Sequence, residues 1–121
     1  MRQSIFKGSA AALVTPMKPG GGLDFTALRR LTDRVLAGKT DAVVVNGTTG
    51  ESATLSDREK LAVIEAVIET VDGRVPVIAG TGSNCTRHAV ELSKEAQRLG
   101  ADALLQVTPY YNKATQEGLV R

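Results

Sequence analysis

The sequence predicts an α/β fold in which buried parallel strands alternate with helices, and three observations carry that prediction. Four short apolar runs, residues 10–14, 42–45, 75–79 and 103–107, have strand length and do not alternate with polar residues. Strands that are covered on both faces, as in parallel sheets, read this way. Helix-spaced apolar stripes lie between the runs. The strand ends recur at roughly 30-residue intervals, the length of a βα unit.

Taken in order, the first run is "AAALV", followed by Thr15-Pro16 and a glycine-rich surface loop over residues 18–22. Leu28, Leu31 and Val35 then mark a first helix, with Gly38 as its expected C′ stop. The second run, residues 42–45, leads into Asn46-Gly47-Thr48-Thr49-Gly50-Glu51. Leu61, Ile64, Ile68 and Val71 mark a second helix; Ser56 is its N-cap, and Glu59 three residues on completes a capping box. The third run carries Pro76 at its start, where proline is tolerated, and ends in Gly80-Thr81-Gly82-Ser83-Asn84. Ala89, Leu92, Ala96 and Leu99 form a third stripe closed by Gly100. The fourth run ends in Thr108-Pro109-Tyr110-Tyr111-Asn112, and a further helix is expected to start after Thr115. The whole chain, 1–121, reads as one block with no internal boundary.

Two architectures use this alternation, a doubly wound open sheet and a (β/α)8 barrel. A whole barrel takes roughly 250 residues, so four units in 121 residues are half of one.

Composition narrows the function. The net charge is +2, from 15 basic and 13 acidic residues with the signs interspersed, which describes a solvated surface and not a nucleic-acid footprint. Aromatic residues are only 3%, so base-stacking platforms are not expected either. With Cys85 as the one cysteine and His88 as the one histidine, no intrachain disulfide and no dedicated metal site are expected. The apolar runs reach about five residues, far short of a membrane span, and no apolar segment follows Lys7 as in a signal peptide. A cytoplasmic setting is the expectation.

Hydroxyls, amides and glycines collect after all four strands, and parallel strands turn those ends toward one face, the ligand face of α/β folds. Glycines expose backbone N–H groups at close range, and paired threonines add hydroxyls that donate or accept protons. That suits a small carboxylate or a developing oxyanion; an ordinary loop of turn residues stands beside it as the plain alternative. Gly80-x-Gly82 only partly matches a dinucleotide fingerprint, because Cys85 stands at the third glycine and Asp102 precedes the next strand instead of ending it. Cys85 and His88 lie one helical turn apart, but no third group orients them, so a buried cysteine and a solvated histidine are the expected reading. Tyr110 and Tyr111 place both tyrosines of the chain at the ligand face.

Four segments, "GSAAALVTPM", "NGTTGESATLS", "VPVIAGTGSN" and "VTPYYNKATQEG", resemble in order the dihydrodipicolinate synthase family across nearly the whole chain. Relatives such as N-acetylneuraminate lyase share the Gly-x-Thr-Gly-Glu element, but the paired threonines and Tyr-Tyr-Asn are more similar to the synthases. The resemblance implies a (β/α)8 TIM barrel, here its first four units, assembled as a homotetramer of tight dimers. It implies condensation of pyruvate with L-aspartate 4-semialdehyde through a lysine Schiff base, in the lysine and diaminopimelate pathway, with no metal or organic cofactor.

Carried over by position, Thr48 matches a proton-relay threonine and Thr49 a residue that helps hold the pyruvate carboxylate. Tyr111 matches the relay tyrosine that reaches an adjacent subunit's site. Ser52, Ala53, Asn84 and Tyr110 match the family's lysine-inhibitor site. There His88 replaces a glutamate and Lys60 a histidine, so weak or absent lysine inhibition is expected. The family's Schiff-base lysine falls beyond residue 121. The lysines present, 7, 18, 39, 60, 94 and 113, lie in no predicted buried strand. The chain alone is therefore expected to be inactive and to associate with itself or with a complementing C-terminal half. Another pyruvate-dependent aldolase, a non-catalytic half barrel used in assembly, and a doubly wound anion-binding domain are the alternatives.

Overall fold

The computed structural model describes residues 4–120. Its elements run β1 (Ala10–Ala12), α1 (Phe25–Ala37), β2 (Ala42–Val45), α2 (Asp57–Val71), β3 (Val77–Gly80), α3 (Thr86–Leu99), β4 (Ala103–Leu105) and α4 (Gln116–Val120). The strands form one parallel sheet in the order β1-β2-β3-β4, each beside its sequence neighbours. A doubly wound sheet reverses direction partway along. This order never reverses, as in a barrel wall.

Register separates the two faces of the sheet. Ala11 pairs with Val43 and Val43 with Val77, while Val45 pairs with Ala79. These residues face the helices: Val43, Val45, Val77 and Ala79 share a core with Leu28 of α1, with Val63, Ile64, Val67 and Val71 of α2, and with Ala96 of α3. The opposite face carries Ala12, Val44 and Ile78 in register, with Leu105 opposite Gly80. It is not covered by any described element, and Val14, Leu105 and Val107 are about half exposed. The sequence runs predicted cover on both faces; within this chain only the helix side is covered.

Local signals account for most boundaries. The Asp24 side chain accepts from Ala27 N–H at the start of α1. At α2 the capping box is present: Glu59 N–H donates to Ser56 Oγ, and Ser56 N–H donates to Glu59 Oε2 at 2.8 Å. Gly100 ends α3 in the left-handed region, φ 101°. At the end of α1 the expectation shifts by one residue. Gly38 is the C-cap with an ordinary φ of −73°, and Lys39 takes the left-handed φ of 61°.

At the N-terminal end of the sheet two carboxylates clip strands together. Asp41 Oδ2 accepts from Ser9 N–H at 2.8 Å, while Asp41 N–H donates to Ser9 O. Asp102 repeats the device, accepting from Val77 N–H at 2.8 Å and donating its own N–H to Val77 O.

Candidate functional site at the C-terminal end of the sheet

β2 delivers its loop through a strained residue. Asn46, only 3% exposed, adopts φ 57°, a left-handed conformation that asparagine tolerates better than most residues. Its Nδ2 donates to Lys60 O at 2.9 Å, which ties the strand tip to the first turn of α2. Its Oδ1 is buried and has no partner among the described residues.

Residues 48–50 then form a short 3₁₀ turn, Glu51 sits in the left-handed region at φ 54°, and residues 52–54 form a second turn. Thr48 and Thr49 are exposed, and neither hydroxyl is engaged in a hydrogen bond among the described residues. Two adjacent hydroxyls are thus left available at a strand end.

The glycines of the third loop have a packing reason. A Cβ on Gly80 would lie 2.1 Å from Asn46 O, and one on Gly82 would lie 2.4 Å from Val107 N. The Gly-x-Gly pair lets the tips of β2 and β4 close in on β3; this is close backbone approach of the kind glycine permits. Behind it, Thr81 Oγ1 and Ser93 Oγ lie 2.8 Å apart. Gln106 Nε2 donates to both, at 2.6 and 3.0 Å, which holds the end of β4 against α3.

A cavity of about 270 Å³ opens between these loops, with Asn46, Thr48, Ser52, Lys60 and Tyr110 among its polar lining and Leu92, Leu105 and Val107 on its apolar side. Of the residues predicted from sequence, Thr48, Ser52, Ala53 and Tyr110 meet there; Thr49, Asn84, His88 and Tyr111 do not line it. Tyr111 is 93% exposed at φ 70°, its ring 5.9 Å from that of Tyr110. Lys60, read from the sequence as a replacement at the inhibitor site, also lines the cavity; Asn46 lines it too and was not singled out. The tie from Asn46 runs to the Lys60 backbone carbonyl, a contact no local sequence pattern announces.

His88 is not the solvated histidine expected. Its Nε2 lies 2.7 Å from Asp57 Oδ2 and its Nδ1 3.2 Å from Ser83 Oγ. Asp57 Oδ1 also faces Lys60 Nζ at 3.6 Å. The hydrogen bond from His88 holds the Asp57 carboxyl below its usual range, with desolvation opposing and the charges of His88 and Lys60 assisting. Serine, histidine and aspartate in a chain suggest a hydrolase relay. However, Ser83 Oγ already accepts from Cys85 N–H at 3.1 Å, and Ser83 lines none of the described cavities. The chain of bonds instead ties the loop after β3 to the start of α2. Cys85 is a free, exposed thiol and not the buried residue expected.

Among the described residues no group of three histidine, cysteine or acidic side chains is placed to hold a metal ion, and no helix is long and apolar enough to cross a membrane.

The model of the dihydrodipicolinate synthetase family matches residues 5–121. The chain belongs to that family. It is 62% identical over 117 residues to the 4-hydroxy-tetrahydrodipicolinate synthase of Caldicellulosiruptor bescii, covering 97% of this chain and 40% of the relative. Among solved structures, a dihydrodipicolinate synthase from Acinetobacter baumannii, chloride-inhibited and complexed with pyruvate, superposes with a TM-score of 0.93 at 52% identity, covering 96% of this chain and 40% of that one. The enzyme from Cyanidioschyzon merolae with lysine bound gives 0.92 at 42% identity, covering 97% and 40%. The chain spans about two fifths of the length of these relatives. Its four-stranded sheet therefore corresponds to half of a (β/α)8 TIM barrel, and the sheet order excludes the doubly wound alternative.

Proposed function

We propose that this chain supplies the pyruvate-holding and proton-relay half of a synthase site that condenses pyruvate with L-aspartate 4-semialdehyde, in lysine and diaminopimelate biosynthesis. The observation that carries the reading is the pair of unclaimed hydroxyls on Thr48 and Thr49 at the tip of β2, with Thr48 facing a cavity shared with Tyr110. Free donors at the end of a buried strand suit a carboxylate. In the proposed reaction a lysine amine adds to the pyruvate carbonyl, water leaves as the imine forms, and the enamine attacks the aldehyde. Each of those steps moves a proton near one nitrogen, work for which the hydroxyls of Thr48 and Tyr111 are suited. Thr49 helps hold the carboxylate.

The nucleophilic lysine is not expected among the six present. Lys60 and Lys94 lie on helices and Lys7, Lys18, Lys39 and Lys113 in loops, so none projects from a buried strand. Lys60 reaches the cavity, but it is paired with Asp57. The chain is therefore proposed to act in company, as part of a homo-oligomer (a dimer of dimers in the full enzyme) or with a complementing C-terminal half. The unpaired outer edges of β1 and β4 and the bare apolar face of the sheet support this.

The test is intact mass before and after incubation with pyruvate and borohydride. The 121-residue chain should gain no reduced pyruvate adduct, and the assembled enzyme should gain one on a lysine outside residues 1–121. An adduct on Lys60 or any other lysine of this chain contradicts the assignment.

Weak inhibition by lysine is part of the same proposal. Ser52, Ala53, Asn84 and Tyr110 match positions of the inhibitor site, but His88 stands where a glutamate would meet the inhibitor's ammonium, and Lys60 stands in place of a histidine. The nearby Asp57 is already engaged by both. Strong inhibition of the assembled enzyme by lysine in the millimolar range contradicts it.

A further inference from the structure

We infer that Thr15 is a positioning residue for the paired threonines, an inference that rests on the pyruvate reading above. Thr15 lies just beyond β1 and is 7% exposed. Its Oγ1 donates to Gly50 O at 2.7 Å across 35 residues of sequence.

Gly50 closes the turn that presents Thr48 and Thr49. Inside that turn, Gly50 N–H donates to Gly47 O at 3.1 Å and Glu51 N–H to Thr48 O at 3.0 Å. Both bonds are local and fix the shape of the turn, not its place. The Thr15 bond is the one described hydrogen bond from another strand that reaches residues 47–51. Packing agrees: a Cβ on Gly50 would sit 3.1 Å from Thr15 Oγ1 and 3.2 Å from Leu13 O. The turn therefore rests directly on the end of β1. The position of the two threonines is set by the first strand as well as by the second, which carries them.

The Gly50 carbonyl is buried, so loss of its donor leaves an acceptor that water cannot readily serve. The turn can restore solvation by lifting off β1, and that movement carries the Thr48 and Thr49 donors with it. An angstrom-scale shift is enough to spoil a preorganised carboxylate site.

Thr32 provides the control. It is also fully buried, and its Oγ1 also donates to a backbone carbonyl, Leu28 O at 2.9 Å, but inside α1 and away from the site. Thr15→Val, Thr15→Ser and Thr32→Val would be made in the 121-residue chain. Amide NMR signals of residues 47–51 and pyruvate affinity by titration would be read on each. Thr15→Val should move the signals of residues 47–51 and weaken pyruvate binding about fivefold. Thr15→Ser, which keeps the donor, should leave both near wild type. Thr32→Val should lower thermal stability without touching either.

Unmoved signals at residues 47–51 in Thr15→Val, or equal movement in Thr32→Val, would overturn the inference. Should Thr15→Val not fold, the serine variant decides: displacement of residues 47–51 with the hydroxyl retained counts against a role for the donor. Absence of pyruvate binding in the unsubstituted chain would count against the functional reading, while the amide signals would still decide the role of Thr15.

Discussion

The two ends of the sheet are built on opposite terms. At the N-terminal end, polar groups are spent on the backbone: Asp41 and Asp102 each hold both main-chain groups of a residue in the neighbouring segment. At the C-terminal end, Asn46 Oδ1 is buried without a partner and the hydroxyls of Thr48 and Thr49 are unclaimed among the described residues. One end commits its carboxylates to the backbone; the other, beside several satisfied side chains, leaves two hydroxyls and one amide oxygen unused among the described residues. Left-handed non-glycine residues occur at both ends, Lys39 and Asp72 at one and Asn46 and Glu51 at the other, so the contrast lies in the unused polar groups, which natural folds tolerate chiefly at functional sites.

Substitutions can break this contrast, beginning with the largest expected effect. Gly80→Ala drives a methyl into the Asn46 carbonyl and near Gly47 N, backbone atoms that cannot swing aside. A loss of about 3 kcal/mol is expected, read as a lower urea midpoint. Asp102→Ala, at the opposite end, leaves Val77 N–H without its side-chain acceptor. It should cost about 1–2 kcal/mol in the same assay and leave any pyruvate affinity unchanged. An Asp102 variant that lost pyruvate binding at full stability would erase the distinction between the ends.

Thr48→Ala reverses the pattern. The side chain is exposed and without a described intramolecular partner, so stability should move by less than about 0.5 kcal/mol while pyruvate binding falls. The smallest effect concerns pH. The Asp57 carboxyl titrates below its ordinary 3.8 in the folded chain, first because His88 bonds to it. Its contribution to stability is therefore present above that ordinary value and is lost as pH falls through the lowered one. Asp57→Asn should make the melting temperature less sensitive to pH below about 4, as scanning calorimetry across pH 2.5–6 would record.

Much of this was legible in the sequence, for physical reasons. The helix stripes and the Ser56 capping box are local signals, and all three long helices follow them. Strand existence was equally clear, but strand ends were not: β1 and β4 stop at Ala12 and Leu105, two residues before their apolar runs end. Pairing ends where the loops begin to diverge, and that depends on the neighbouring strand. The threonine turn and Tyr110 were placed at the site because parallel strands bring their ends together. Asn46, Lys60, Asp57 and Thr15 were not assigned their contacts, because each acts across 14 to 35 residues, and no local pattern encodes such a bond. Gly80-x-Gly82 was visible as a motif, but its cause, clearance for two neighbouring backbones, belongs to the assembled sheet.

An amide NMR titration of the chain with pyruvate tests most directly whether the threonine-bearing end of the sheet holds the carboxylate. Perturbations are expected only at residues 46–52, 80–84 and 108–111, with residues 8–9, 39–41, 75–77 and 100–102 silent. Perturbations centred on the aspartate-clipped end, or none at saturating pyruvate, would contradict that placement.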